Sequence, residues 1–187
     1  NQHNVIYAED CAHAWLSDLI GGVCGREGKY AFYSLHKILP IEYGGLEVIN
    51  NISDHQNKTC LNPYFDLNYD LFRIYEKRRS NYIYLIDKLS KINGIEIIYK
   101  ILPHGICPQT APVILENYDR DELYKIMNDA GFGVVSLYHT MINELKKYNS
   151  KASQELSKKI INFPIHQDVN FEDIDEMTNK LKHILNA

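Results

Sequence analysis

The chain has 187 residues, 45 % of them hydrophobic and 24 % charged, with a formal net charge of -4. That length and apolar content suffice for a sizeable core, and the mild acidity with no basic stripe argues against a nucleic-acid partner. Four scattered cysteines, Cys11, Cys24, Cys60 and Cys107, form no C-x-x-C pair and no disulfide framework. This argues against a zinc or redox motif and fits a reducing, cytoplasmic setting.

Residues 4–9 read as a short buried strand ending at Asp10. Because this run starts so close to Asn1, the chain is expected to begin inside a larger fold. No signal peptide is legible, and no apolar run reaches the roughly 18 residues of a membrane span. Residues 28–34 read as a second strand and Leu46 to Ile49 as a third. Between these two strands, LHKILPIEY with Pro40 and the Gly44-Gly45 pair reads as a loop.

Residues 66–92 read as one long helix, with Leu71, Ile74, Tyr75, Tyr82, Leu85, Ile86, Leu89 and Ile92 on one face. Asn93-Gly94 should stop it, and Arg78-Arg79 should lie on its solvated side. Further on, 95–101 and 113–116 read as strands. Asp119 to Glu122 resembles a capping box opening a helix that stops at Gly131. Residues 132–138 read as a strand, 151–162 as a helix, and Asn170 as the cap of a last helix carrying Ile174, Met177, Leu181 and Ile184. The segment 95–187 thus reads as a small α+β domain.

Asp10 follows a strand directly, where α/β proteins place ligands, although position alone favours a capping role over CAHAWL. Lys37 sits in an otherwise apolar run, SLHKILP. An imine-forming amine must attack in its neutral form, which a setting poor in charges favours; the alternative is an ordinary surface lysine. Ser34 places a hydroxyl three residues before that amine, close enough to touch a phosphate on the same ligand, and a carboxylate such as Asp10 could pair with a pyridinium nitrogen. His104, His166 and His183 show no ligand spacing, so no metal site is expected.

Several of these segments together resemble a known family. Tyr7-Ala8-Glu9-Asp10-Cys11-Ala12-His13-Ala14 is similar to the E-D-x-A-(Q/H)-A segment of the DegT–StrS nucleotide-sugar aminotransferases. Tyr33-Ser34-Leu35-His36-Lys37, followed by Gly44-Gly45, resembles that family's Schiff-base segment. Asn128 to Gly133 and Asn162 to Asp168 resemble parts of its C-terminal region. The resemblance runs from about residue 4 to the end and is weakest over 46–70, where Asn62-Pro63-Tyr64-Phe65 only faintly matches the family's N-F-R-M-like stretch.

The resemblance implies an α/β fold class: the C-terminal part of a fold-type I transferase dependent on pyridoxal 5'-phosphate (PLP). Residues 1–65 would be part of the large PLP-binding domain, 66–94 a connecting helix and 95–187 the small domain. It implies that Lys37 carries the cofactor and shuttles the proton, that Asp10 pairs with the pyridine nitrogen, that His13 stands near the phenolic oxygen and that Ser34 touches the phosphate. His139 would approach the substrate. The implied reaction moves an amino group from an amino-acid donor to a keto-sugar nucleotide, for surface polysaccharide, in a cytoplasmic homodimer without metal, nucleic acid or membrane partners. The family's phosphate-binding loop and ring-stacking aromatic lie upstream of the matching segments, so half a site is expected here.

Departures accompany it. The commoner pattern S-F-H-x-x-K has Ser five before Lys, not three, and His13 stands where Gln is usual. A dehydratase branch replaces the lysine by His, so the presence of Lys37 favours amino transfer. A non-catalytic interaction or dimerisation piece, and another PLP reaction such as dehydration or aldol cleavage, are the rival readings.

Overall fold

The computed structural model describes residues 5–17, 24–50, 68–137, 142–147 and 150–186. Cys60, the Asn62–Phe65 stretch and His139 lie outside the described residues. The chain divides into two compact units, one of residues 1–76 with Pro103–Gln109, the other Lys77–Leu102 with Thr110–Ala187. A division at residues 65 and 94 differs from this in two ways: the boundary falls inside the long helix, and the Pro103–Gln109 loop belongs with the first unit.

In the first unit, β1 (Ala8–Asp10), β2 (Tyr30–Ser34) and β3 (Gly45–Ile49) form a sheet in that order. β1 runs parallel to β2 and β3 antiparallel to it, with Asp10 opposite Phe32 and Ser34 opposite Gly45. β2 alternates as its sequence demands: Ala31 and Tyr33 are buried while Phe32 is exposed. The buried face packs on Trp15, Leu16, Leu35, Ile38 and Tyr75. CAHAWL does not start a helix; residues 12–17 are turns, and the Asp10 carboxylate accepts from Ala12 N at 3.1 Å.

The loop that precedes β2 is fastened to β1 through one side chain. Glu9 accepts from three backbone amides, Gly25 at 2.9 Å, Glu27 at 2.8 Å and Gly28 at 2.6 Å. The amides of Gly28 and Gly25 hold its carboxyl below the ordinary glutamate range. Tyr33 Oη donates to Cys24 O at 2.8 Å, and Asn50 Nδ2 donates to Gly25 O and Gly28 O at 2.7 and 2.9 Å.

The long helix, α1 (Leu71–Leu89), begins at 71 rather than 66. Asp70 Oδ1 accepts from Arg73 N at 2.9 Å, a capping contact that defines the start. Its apolar stripe is buried as expected, but two polar residues join it. Arg78, expected on the solvated side, is only 4 % exposed, and its Nε donates to Gln167 at 2.9 Å. Asn81 is fully buried, and its Nδ2 donates to the carbonyls of Val169 at 2.8 Å, His166 at 3.0 Å and Ile165 at 3.4 Å.

The second unit is built on an antiparallel sheet of β4 (Ile95–Ile97), β5 (Thr110–Leu115) and β6 (Ile160–Pro164). The helices α2 (Arg120–Asp129), α3 (Asn143–Lys147), α4 (Lys151–Lys159) and α5 (Phe171–Leu185) complete it. Ala111, Val113, Leu115, Ile161, Phe163 and Leu181 are fully buried in one core. The expected caps form: Asp119 accepts from Glu122 N, and Asn170 and Asp173 make a reciprocal box.

Four expectations need correction here. Among the described residues, the buried strand expected over 4–9 is only Ala8–Asp10, and Val5 and Ile6 before it are exposed. The strand expected over 95–101 stops at Ile97, since Ile97 pairs with Val113 and the next partner would be Pro112, which has no N–H to continue the ladder. Over the described residues 132–137, the strand expected over 132–138 is a single bridge, Val135 to Asn162; Gly131 and Gly133, at φ 88° and 64°, turn the chain on either side of Phe132. The helix expected over 151–162 ends at Lys159, and Ile160–Pro164 pairs with β5 instead. Burying Ile161 and Phe163 against the sheet overrides their local helical setting.

Candidate functional site

Because β1 and β2 are parallel, Asp10 and Ser34, their last residues, lie at the same edge of the sheet. Topology therefore brings together two motifs 24 residues apart in sequence, a placement typical of ligand sites in α/β folds. The segment after Ser34 is not a plain loop but a 3-10 turn, Leu35–Lys37. Leu35 N donates to Gly44 O at 3.0 Å, and Leu35, Ile38 and Leu39 are all buried. These apolar anchors hold the turn while Lys37, between them, stays half-buried. Ser34 caps the turn without a side-chain hydrogen bond to it, so its hydroxyl is not committed to the backbone there.

His13 links this turn to the one after Asp10. Its Nε2 lies 2.7 Å from Lys37 Nζ. Its Nδ1 lies 2.6 Å from Gln109 Oε1. All three residues belong to the first unit. Gln109 was not legible as a site residue: it stands 96 positions from His13, in the loop that returns to this unit, and no motif marks it. Among the described residues no hydrogen bond joins Asp10 or Ser34 directly to Lys37.

Chemically, the edge offers a carboxylate, a hydroxyl, and an amine in contact with an imidazole. The neighbouring thiol does not join them. Cys11 is 6 % exposed, and burial, with the Glu9 charge, pushes it above the ordinary thiol range, which disfavours the thiolate. His36 is exposed, its Nδ1 3.4 Å from Gly44 O. Among the described residues no group of three or more His, Cys, Asp or Glu side chains could hold a metal ion, and no helix is long and apolar enough to cross a membrane.

No family model and no curated protein matches the sequence. Solved structures do match. A DegT DnrJ EryC1 StrS aminotransferase from Brucella abortus superposes with a TM-score of 0.69 at 16 % identity, over 98 % of this chain and 58 % of that one. The fold is that of these aminotransferase chains. An aminotransferase from Psychrobacter cryohalolentis gives 0.68 at 16 % identity, over 99 % of this chain and 63 % of its own length. A GDP-4-keto-6-deoxy-D-mannose-3-dehydratase from E. coli, solved with bound hydrated PLP, gives 0.66 at 18 % identity, over 96 % and 61 %. The chain therefore spans about three-fifths of the solved chains it matches, from 58 % to 63 % in these three. The α/β fold class expected from the sequence is borne out.

Proposed function

We propose that this chain is the C-terminal part of a PLP-dependent aminotransferase that moves an amino group from an amino-acid donor to a keto-sugar nucleotide. The observation that carries the proposal is the contact of Lys37 Nζ with His13 Nε2 at 2.7 Å, on the sheet edge shared with Asp10 and Ser34.

The donor set fits the cofactor. An amine suits an aldehyde carbon, a carboxylate suits a protonated ring nitrogen, and an uncommitted hydroxyl suits a phosphate oxygen. When bound, PLP supplies an electron sink that makes the carbon bearing the transferred amino group acidic. Lys37 would hold the cofactor and afterwards move the proton, as general base and then acid. Asp10 would keep the ring nitrogen protonated, Ser34 would donate to the phosphate, and His13 would stand on the Lys37 side of the ring. The first compact unit would belong to the large cofactor domain and the second to the small domain, with α1 as the connecting helix. A homodimeric enzyme acting in the cytoplasm, for surface polysaccharide, completes the reading.

Dehydration is the second reading, since a dehydratase shares the fold; the presence of Lys37 favours amino transfer. The test is an absorbance scan with added PLP, of this chain and of a version extended upstream, each repeated with Lys37→Ala. A cofactor band lost in the variant supports the proposal, and amine or dehydrated product then separates the two reactions. No band in either version sinks both.

A further inference from the structure

Gln109 stands in no motif, yet its Oε1 lies 2.6 Å from His13 Nδ1, on the far side of the ring from Lys37. With the amide placed so that Oε1 faces the ring, Nδ1 carries the ring proton, because an amide oxygen can only accept. A neutral ring has one proton, and Nε2 is then left as a lone pair. That lone pair faces Lys37 Nζ at 2.7 Å, where it can only accept. We propose that Gln109 is a positioning residue that fixes His13 in the Nδ1–H tautomer, so that Nε2 is the acceptor for the proton that Lys37 sheds on becoming a nucleophile.

The step balances. One N–H bond of the Lys37 ammonium breaks, its electron pair stays on Nζ, and a new N–H bond forms at His13 Nε2. The ring becomes an imidazolium whose Nδ1–H still donates to Gln109. Gln109 takes no proton, because an amide is far too weak a base, and its part is orientation alone. The arrangement parallels the way a partner on one ring nitrogen sets the role of the other. The use made of Lys37 rests on the aminotransferase reading; the tautomer does not.

Two measurements keep these apart. In the first, the full chain without added cofactor is labelled with 15N, and its imidazole rings are read by long-range 1H–15N correlation at pH about 8.5, above the ordinary histidine range. The His13 pattern is identified by its loss in His13→Gln. We expect the Nδ1–H pattern, retained in Gln109→Glu, whose carboxylate also accepts, and moved towards Nε2–H in Gln109→Leu. An Nε2–H pattern in the unaltered protein, or an unchanged Nδ1–H pattern in Gln109→Leu, overturns the proposal. Should Gln109→Leu fail to fold, the unaltered protein alone decides. In the second, the cofactor-loaded enzyme should lose amino-transfer rate by at least about ten-fold in Gln109→Leu, with recovery in Gln109→Glu. Absence of a cofactor band from the unaltered protein, in this chain and in the version extended upstream, would refute the aminotransferase reading while leaving the tautomer assignment intact.

Discussion

Replacing Gly25 by alanine tests the fastening of the loop that leads into β2. Gly25 has φ 78°, and a Cβ built there would lie 1.9 Å from Tyr33 Oη and 2.8 Å from Tyr33 Cζ. Neither contact can persist, so the tyrosine ring must move, although it is 6 % exposed and its hydroxyl donates to Cys24 O. The left-handed backbone costs alanine about 1–2 kcal/mol. The displaced hydroxyl and the carbonyl it leaves cost about 1–3 kcal/mol more. The reduced freedom of the unfolded chain offsets roughly 0.5–1 kcal/mol, leaving a net loss of about 1–4.5 kcal/mol. Urea unfolding followed by fluorescence of the single tryptophan, Trp15, reads this unit directly, because Trp15 packs in the same core. The cost should shrink when the substitution is made in a Tyr33→Phe background, since the hydroxyl that clashes is then absent. A loss under about 1 kcal/mol, or an equal loss in both backgrounds, would refute the steric reasoning.

Two further outcomes concern stability. Asn81→Ala removes the amide that donates to three carbonyls, two of them through buried bonds. It should cost about 2–4 kcal/mol, read as a drop in urea midpoint by circular dichroism with the slope unchanged; a loss below about 1 kcal/mol would show that those carbonyls find other donors. Glu9 has its carboxyl lowered by backbone amides, so the unfolded chain binds its proton first as pH falls. Its contribution is therefore fully present above the ordinary glutamate range and lost as pH drops through and below it. Stability measured from pH 7 to 3 should fall less steeply in Glu9→Gln than in the unaltered chain, and parallel curves would contradict the assignment.

Much of the second unit was legible because its signals are local. The caps at Asp119 and Asn170 and the apolar periodicity of α1 and α5 need only neighbours three and four residues away. What failed were the elements whose state depends on a partner strand. The end of β4 is set by Pro112, fifteen residues beyond Ile97, and β6 is a strand because β5 is there to receive it. Arg78 reads as solvated from its polarity, but Gln167, which it bonds, lies more than eighty residues away, as do the 165–169 carbonyls that Asn81 bonds.

The same line divides the candidate site. The sequence by itself determined the residue types and their local spacing: a carboxylate after one strand, a hydroxyl and an amine after another, and an imidazole three residues past the carboxylate. Only the tertiary structure decided that the two strands run parallel and bring those ends to one edge, that His13 meets Lys37, and that Gln109 meets His13 from a loop belonging elsewhere in the sequence. The reason is physical. Spacing along a strand or turn is dictated by backbone geometry that each residue carries with it, whereas contacts between distant segments exist only after burial of the shared core has selected one arrangement of them.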